Sequence, residues 1–329
     1  MTTGPGRLPD IADVRAAAVR LAGHARVTPL LAGTPLDALT GGRILLKLET
    51  LQHTGSFKFR GAFNRLAQLD AGQRRAGVVA YSSGNHAQGV AAAARRLGIP
   101  ATIVMPSDAP RIKRQHTLEL GARVVEYDRA RESREDIAAA IAHDQGASLV
   151  PPFDDPAIIA GQGTVGLEIM AQAQQLGLAP DDVVISCSGG GLAAGVALAV
   201  NAERSASRVW CAEPADFDDH RRSLLAGGRV ANAPGGHSMC DALLAPMPGQ
   251  LTFEINRRLL AGGLVVTDDE GRAAIRCAAR VLKLVVEPGG AVALAAVLGR
   301  RIETRDRAVA VVLSGGNIDD ALLRDILAG

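Results

Sequence analysis

The feature that most constrains the fold is an alternation of short, apolar, β-branched runs with Ala- and Leu-rich stretches of helical periodicity. The helical stretches include His86–Leu97 and Arg131–His143. Strands that alternate with helices form parallel sheets, and nearly continuous apolar strands are typical of burial on both faces. The sequence therefore predicts an α/β fold of open parallel sheets, with strands at Ile44–Leu48, Val78–Tyr81, Ala101–Met105, Arg123–Tyr127, Val183–Ser186, Arg208–Ala212 and Ala308–Leu313.

Charge and composition exclude several classes of partner. The 36 Lys and Arg residues nearly balance the 34 Asp and Glu residues, and only nine aromatic residues are present, so no nucleic-acid partner is expected. No membrane partner is expected either, because apolar runs such as Leu192–Val200 are about half of the roughly 18 residues that a membrane helix needs. Residues 1–10 lack a secretory pattern, so a cytoplasmic location is expected, with the four cysteines as reduced core residues.

The 37 glycines cluster in short polar loops that follow or precede predicted strands. In the first loop, Thr54–Gly61, Lys58 stands at the start of a helical stretch. The positive end of a helix dipole opposes an ammonium there, which favours a neutral amine or a covalent imine. A surface lysine in a loop is the alternative.

Three further loops offer groups for binding a ligand. Three successive glycines in Ser188–Leu192 let backbone N–H groups cradle a phosphate at the start of a helix. Ser82–His86 could bind a carboxylate through its N–H groups and hydroxyls, or it could be a capped helix start. Ser314–Asn317 follows the last apolar strand, where a hydroxyl could contact a ligand ring or cap a helix before Ile318.

The run Gly161–Gly166 matches the dinucleotide fingerprint G-x-G-x-x-G letter for letter. It does not follow a predicted strand, and no strand that ends in an acidic residue lies at the usual distance. We therefore predict no nicotinamide cofactor at this motif.

Together these segments resemble the pyridoxal phosphate enzymes of fold type II, and within them the threonine/serine dehydratase (threonine ammonia-lyase) and serine racemase family. The resemblance implies two open parallel-sheet domains of tryptophan synthase β-like architecture. The large cofactor-binding domain would be residues 1–76 plus 154–329, and the small substrate-side domain residues 77–153. A homodimer or another homo-oligomer is also implied. The segments that carry the resemblance occur in the family's order: Lys47–Gly61, Ser82–Gly89, Gly161–Glu168, Ser188–Leu192, Glu287–Ala291 and Ser314–Asn317.

The resemblance also implies a cofactor site. Lys58 would carry pyridoxal 5'-phosphate as a Schiff base, with Phe57 stacked on the pyridine ring and Asn85 bonded to the phenolic oxygen. Glu287 would belong to the same site, and Ser314 would face the pyridine nitrogen. A neutral hydroxyl does not keep that nitrogen protonated, which favours elimination over transamination. The phosphate would be bound by Ser188, Gly189, Gly190, Gly191 and Leu192.

The implied reaction is β-elimination, which converts L-threonine and/or L-serine, small hydroxy amino acids, to a 2-keto acid and ammonia. The freed amine of Lys58 would remove the α-proton as a general base. Ser83 resembles the family serine on the opposite face of the cofactor; a racemase needs it and dehydratases often carry it, so it does not decide between them. The substrate carboxylate would be held by Ser82, Ser83, Asn85 and His86.

Two further resemblances concern a cation and the substrate side chain. Glu213 and Asp219, with the carbonyl of Phe217 between them, match the spacing at which related enzymes bind Mg²⁺ or Ca²⁺. A solvated acidic loop is the alternative. Arg134 falls where racemases carry an arginine able to meet a second carboxylate, so 3-hydroxyaspartate stays open as a substrate; an arginine on an amphipathic helix is otherwise solvated or paired.

Other functions remain as alternatives to the dehydratase. A serine racemase and a 3-hydroxyaspartate dehydratase share the implied site. A β-replacement synthase of the cysteine synthase kind usually has Thr-Ser-Gly-Asn-Thr where this chain has Ser-Ser-Gly-Asn-His. A catalytically silent ligand-binding protein on the same fold would be expected to lack Lys58, which is present.

Overall fold

A computed structural model describes residues 7–82, 84–109, 111–128 and 131–329. Among these residues the strands form two sheets, of six and four strands. The larger sheet has the order β1-β2-β10-β7-β8-β9 and the smaller the order β5-β4-β3-β6. All pairings are parallel except that of β1 with β2. The strands are β1 Leu30–Leu31, β2 Arg43–Leu48, β3 Val78–Tyr81, β4 Ala101–Pro106, β5 Arg123–Tyr127, β6 Ser148–Leu149, β7 Asp182–Ser186, β8 Arg208–Pro214, β9 Leu260–Val266 and β10 Ala308–Leu313.

Helices cover both sheets. They are α1 Ile11–Leu21, α2 Leu36–Thr40, α3 Lys58–Ala67, α4 Ala71–Ala76, α5 Asn85–Leu97, α6 Arg111–Glu119, α7 Arg134–Gln145, α8 Pro156–Gln175, α9 Gly191–Glu203, α10 Asp219–Ala226, α11 Gln250–Leu259, α12 Asp268–Cys277, α13 Pro288–Leu298 and α14 Asp320–Ala328. Short 3₁₀ turns lie at Glu49–Leu51, His53–Gly55, Ala215–Phe217 and Asp241–Leu243, and a π-helical turn at Ala278–Leu282.

The predicted α/β architecture of parallel sheets is confirmed. All seven predicted strands are present, and those of β3, β5 and β10 have the predicted bounds. β10 lies between β2 and β7, and each of its six residues is buried, as its unbroken apolar sequence requires. The predicted helix Arg131–His143 instead begins at Arg134, because the Ser133 hydroxyl caps it by accepting the N–H of Asp136.

The G-x-G-x-x-G run lies inside helix α8 rather than at a strand-to-helix turn, which confirms that it is no dinucleotide motif. Its glycines let helices approach closely. A Cβ atom at Gly161 would lie 2.7 Å from the carbonyl oxygen of Arg60, and one at Gly163 would lie 2.7 Å from that of Gly195. These glycines therefore pack α8 against α3 and α9.

Within the described part of the chain, no helix is both long and apolar enough to span a bilayer. All four cysteines are free thiols, and three of them, Cys187, Cys211 and Cys240, are buried.

Candidate active site

A cavity of about 310 Å³ lies where residues of both sheets meet. Ser82, Cys187 and Ser314 line it directly after the carboxyl ends of β3, β7 and β10, the edge at which open α/β sheets bind ligands. Ser83 lies outside the described residues. The other cofactor and substrate residues predicted from the sequence all line this cavity: Phe57, Lys58, Ser82, Asn85, His86, Arg134, Ser188, Gly189, Gly190, Gly191, Leu192, Glu287 and Ser314.

Lys58 is the first residue of α3, so its amine stands at the helix end that disfavours positive charge. Its Nζ donates a hydrogen bond to the carbonyl of Pro152 at 2.8 Å and lies 5.2 Å from the ring centroid of Phe57. The backbone N–H of Phe57 donates to the carbonyl of Ser314 at 3.1 Å, which ties the lysine loop to the end of β10. The alternative of a surface lysine is therefore wrong.

Burial gives two groups of the cavity unusual proton affinities. It lowers the pKa of the Lys58 amine to about 8, against the attraction of the Glu287 carboxylate. Burial, with the charge of Asp241, raises the pKa of Glu287 to about 8, against its hydrogen bond from Asn85. A neutral amine is thus accessible near neutral pH.

The amide of Asn85 joins three segments at the cavity. Its Nδ2 donates to Oε1 of Glu287 at 2.5 Å, and its Oδ1 accepts from Nδ2 of Asn317 at 2.6 Å. The same Nδ2 of Asn317 donates to the carbonyl of Thr54 at 2.8 Å. Asn85 is therefore held by its side chain rather than capping α5, and Asn317 is a positioning residue that the sequence analysis did not assign.

His86 is buried in the first turn of α5, and burial and the Lys58 charge lower its pKa to about 3. Its Nε2 lies 2.9 Å from the carbonyl of Val150, so Nε2 carries the proton of the neutral ring. The imidazole therefore offers no positive charge to a carboxylate. The backbone N–H groups of this first turn are what the helix end offers to an anion.

The predicted phosphate loop connects β7 to α9, and each of its glycines is required. A Cβ atom would lie 2.4 Å from the ring of Phe153 at Gly189 and 2.5 Å from the imidazole of His220 at Gly190, where φ is +93°. At Gly191 a Cβ would lie 2.9 Å from Oε1 of Gln162. The glycines thus let these side chains pack against the loop, which lines the cavity at the N-terminus of α9, where backbone N–H groups can bind a phosphate.

One buried amide beside this loop has no partner in the part of the chain that the structure describes. Gln162 is 1% exposed and borders the cavity, and neither its Oε1 nor its Nε2 has a hydrogen-bond partner among the described residues. An unsatisfied buried amide is costly, and a phosphate at the loop would accept its N–H. The glycine cradle, this amide and the amine of Lys58 together fit pyridoxal phosphate.

Two side chains of α11 fix the phosphate loop from behind. Thr252 donates from Oγ1 to the carbonyl of Gly189 at 2.6 Å, and Asn256 donates from Nδ2 to that of Gly190 at 3.3 Å. The hydroxyl of Ser188 accepts the N–H of Ala245 at 3.1 Å. Thr252 and Asn256 do not line the cavity, so the cradle is held in shape partly by contacts behind it.

Comparison with protein families shows the family of the chain. The family model described as pyridoxal-phosphate dependent enzyme matches residues 21–315, which include Lys58 and the phosphate loop. The chain belongs to this family. Its two parallel sheets are those of the fold type II pyridoxal phosphate enzymes, as the sequence predicted.

Relatives within the family carry both lyase and racemase names. The L-threo-3-hydroxyaspartate ammonia-lyase of a Pseudomonas species is 42% identical over 96% of this chain and 98% of its own. The structure of maize serine racemase has a TM-score of 0.91 and 36% identity, and covers 98% of both chains. A threonine deaminase from the organism abbreviated T.th. has a TM-score of 0.88 and 43% identity, over 94% of this chain and 99% of its own.

The predicted cation ligands lie outside the cavity, between β8 and α10. Glu213 accepts the N–H groups of His220 and Arg221 at 2.9 and 2.8 Å. Asp219 accepts from Nδ2 of Asn232 through Oδ1 at 2.7 Å, whereas its Oδ2 has no partner among the described residues. Both carboxyl groups are fully buried, and burial raises the pKa of Glu213 well above its usual value and that of Asp219 to about 6. A solvated loop does not describe these two acids, and the carbonyl of Phe217 stands in the turn between them.

Two cations stand on the small-sheet side of the cavity. Arg134 places its guanidinium 5.5 Å from the ring centroid of Tyr81 and pairs with Glu135 at 2.8 Å. Lys113 of α6 donates from Nζ to Oδ2 of Asp241 at 2.5 Å. No local pattern in the sequence marks Lys113 as a cavity residue, because only the fold brings it there.

Proposed function

We propose that the protein is a pyridoxal phosphate-dependent dehydratase (ammonia-lyase) that converts L-threonine and/or L-serine to a 2-keto acid and ammonia by β-elimination. The observation that supports it is the presence, in one cavity, of a lysine amine with a lowered pKa and a phosphate cradle. A hydroxyl, that of Ser314, stands in the same lining where a carboxylate would favour transamination.

Lys58 has two tasks in this proposal. It holds the cofactor covalently before the substrate binds, and afterwards its free amine removes the α-proton as a general base. Bound pyridoxal phosphate supplies the electron sink for the carbanion that this proton transfer creates. The lowered pKa of the amine keeps a useful fraction neutral near physiological pH.

The other lining residues orient the cofactor and the substrate. Phe57 would cover the ring, Asn85 would offer its amide to the phenolic oxygen, and residues 188–192 with Gln162 would hold the phosphate. The first turn of α5, with Ser82, Ser83 and His86, holds the substrate carboxylate through its N–H groups and hydroxyls. Glu287 keeps Asn85 in place through their 2.5 Å hydrogen bond.

We also propose that Glu213, Asp219 and the carbonyl of Phe217 bind Mg²⁺ or Ca²⁺. Two buried carboxylates close together are unfavourable, and Oδ2 of Asp219, which has no partner among the described residues, is available as an oxygen ligand. The cation would stabilise the segment that precedes α10 rather than take part in the chemistry, because neither side chain lines the cavity.

A second candidate substrate is L-threo-3-hydroxyaspartate. Arg134 and Lys113 both line the cavity, and each is paired with a carboxylate that a second substrate carboxylate could replace. The relative from Pseudomonas carries the name of this ammonia-lyase. Elimination from this substrate would use the same Lys58.

The experiment is an assay of keto-acid release by the holoenzyme from L-threonine, L-serine and both 3-hydroxyaspartate diastereomers. We expect turnover of at least one substrate and none in Lys58→Ala. If the two cations bind a second carboxylate, Arg134→Met and Lys113→Met should lower kcat/KM for 3-hydroxyaspartate at least tenfold more than for L-threonine. Arg131→Met is the matched control, since that arginine is exposed and outside the cavity. No keto acid from any of these substrates would contradict the proposal.

A further inference from the structure

A second set of potential metal ligands lies directly behind the phosphate loop. Cys187 follows β7, Glu213 lies in β8, and His220 lies in the first turn of α10. The Cys187 sulfur, a carboxylate oxygen of Glu213 and an imidazole nitrogen of His220 lie within 4.8 Å of one another, and all three residues are buried. Three separate elements thus converge on one point.

The imidazole of His220 has a nitrogen available for a metal. Its Nε2 lies 2.9 Å from Nδ2 of Asn256, whereas its Nδ1 has no partner among the residues that the structure describes. A metal on Nδ1 would leave the ring proton on Nε2. The Oδ1 of Asn256 also has no partner among the described residues. If the Asn256 amide rotated by 180°, this Oδ1 would accept the Nε2–H of His220. The rotation would give up the 3.3 Å hydrogen bond from Asn256 Nδ2 to the carbonyl of Gly190. Metal-ligating histidines usually make such a second hydrogen bond.

Charge balance at this point also favours a cation. The carboxylate of Glu213 is met by two backbone N–H groups, and it forms no ion pair with the side chains that the structure describes. A divalent metal would displace the protons of the Cys187 thiol and of the Glu213 carboxyl group to solvent, and it would then bind one thiolate and one carboxylate, with zero net charge. Such neutralisation is what a buried ionic site needs.

We propose that Cys187, Glu213 and His220 form a binding site for a divalent metal of the zinc class. Thiolate and imidazole ligands favour Zn²⁺ over Mg²⁺ and Ca²⁺, which prefer oxygen. Glu213 also belongs to the set of oxygen ligands proposed above for Mg²⁺ or Ca²⁺, called here the oxygen set. The other two ligands of the oxygen set are Asp219 and the carbonyl of Phe217, whereas those of the zinc site are Cys187 and His220. Because Cys187 adjoins Ser188 and the His220 ring contacts Gly190, a bound metal would brace the phosphate loop from behind.

The first test uses the wild-type holoenzyme, purified without a histidine tag. The protein is stripped of metal, dialysed against zinc chloride with excess MgCl₂, and analysed for metal content. We expect about one retained zinc per chain. Zinc-edge X-ray absorption should show one sulfur neighbour at about 2.3 Å, with nitrogen and oxygen at about 2.0–2.2 Å. No retained zinc, or a shell without sulfur, would overturn the proposal whether or not any variant folds.

Variants locate the ion on this set. Cys187→Ala should weaken zinc binding at least 10-fold. Loss of a group that only supports a metal ligand already lowers metal affinity by about 10- to 100-fold, so loss of a ligand should cost no less. Cys277→Ala and His237→Asn are the matched controls, a partly exposed thiol and an exposed imidazole, and should bind zinc as the wild type does. Asp219→Asn should retain zinc too. Zinc loss in Asp219→Asn with full retention in Cys187→Ala would place the ion on the oxygen set and overturn the proposal.

Discussion

At the scale of single residues, burial changes the proton affinity of the groups that the proposed reaction uses. Lys58 and Glu287 face one cavity, and burial shifts the two pKa values towards each other, both to about 8. The neutral forms of both groups are therefore accessible near neutral pH. Asn85 donates to Glu287 and accepts from Asn317, so its amide keeps one orientation whether Lys58 or Glu287 carries the proton.

The lowered pKa of Lys58 predicts how the apoenzyme takes up its cofactor. Only the neutral amine attacks an aldehyde, so the rate constant for covalent capture of pyridoxal phosphate should rise with pH through about 8 and then level off. Stopped-flow absorbance measures this rate, and borohydride reduction followed by peptide mapping should place the label on Lys58. A label on another lysine, or a rate that is independent of pH from 6 to 10, would contradict the assignment.

Ser83, which the described residues do not include, is the predicted group opposite Lys58. Ser83→Ala should keep measurable deamination of L-serine, while any turnover of D-serine should fall by about 10²- to 10⁴-fold, because D-serine presents its α-proton to the other face. Both rates come from one keto-acid assay. Equal loss of the two rates would mean that Ser83 positions substrate or cofactor instead.

Because of Asp219, the stability of the fold should fall as the pH rises, and a bound cation should restore it. Its pKa in the fold, about 6, is higher than in an unfolded chain, so its contribution to stability is present below about pH 4 and is lost as the pH rises through 6. At pH 7.5 Mg²⁺ should therefore raise the melting temperature of the chelated protein by at least about 2 °C. Asp219→Asn should melt higher than the wild type in EDTA and no longer respond to Mg²⁺. A wild type that melts equally in EDTA and Mg²⁺ would contradict the proposed cation site.

At the scale of elements, a buried ionic network fixes the start of α3. The guanidinium of Arg60, two residues after Lys58, donates to both oxygens of Glu49 at 2.8 Å and to Glu168 at 2.6 and 2.9 Å. Lys47 of β2 adds a 2.6 Å hydrogen bond to Glu168. The network joins β2, α3 and α8, so the helix that begins with Lys58 is anchored on the side away from the cavity.

This network predicts an unequal effect of two arginine substitutions in α3. Arg60→Met removes the partner of a fully buried carboxylate and should cost about 3–5 kcal/mol of unfolding free energy. Arg65→Met is the matched control, because Arg65 forms a partly exposed 3.2 Å pair with Asp155 and should cost about 1 kcal/mol or less. Urea unfolding of the two holoenzymes measures the difference. An equal loss of unfolding free energy in the two variants would show that the buried network stabilises the fold no more than a surface ion pair does.

The sequence predicted the elements that carry a strong local pattern. The apolar strands of both sheets were found, whereas β9 was missed because Gly262 and Gly263 interrupt its β-branched run, and β1 and β6 were missed because each has two residues. The alternative of a helix cap at Ser314 was wrong, since α14 begins at Asp320 and Asp319 caps it. Short or glycine-interrupted strands depend on their neighbours in the sheet rather than on their own sequence.

The candidate site shows the same division. The residues in contiguous motifs, such as Lys58 and the phosphate loop, could be predicted because a strand-to-helix turn determines their surroundings. Gln162 and Lys113, which line the cavity, and Asn317, which bonds to Asn85, were not assigned, because tertiary packing brings their side chains there. Gln162 and Asn317 stand in motifs that were noted for other residues.

At the scale of the whole molecule, the cavity is built by both sheets. The strands of the smaller sheet lie within residues 78–149 and those of the larger sheet outside them. Lys113 of α6 and Asp241 beside α13 form an ion pair across the cavity lining. The division into domains 1–76 plus 154–329 and 77–153 stays a prediction, as does the homodimer, which light scattering on the holoenzyme would test.

We propose that elimination, rather than racemisation, is the main reaction in this cavity. The most direct measurement is the ratio of pyruvate to D-serine that the holoenzyme forms from L-serine in one reaction, with pyruvate assayed enzymatically and serine by chiral chromatography. If elimination dominates, pyruvate and ammonia form in equal amounts and in large excess over D-serine, and Lys58→Ala forms neither product. D-serine as the main product, with pyruvate at trace level, would contradict it.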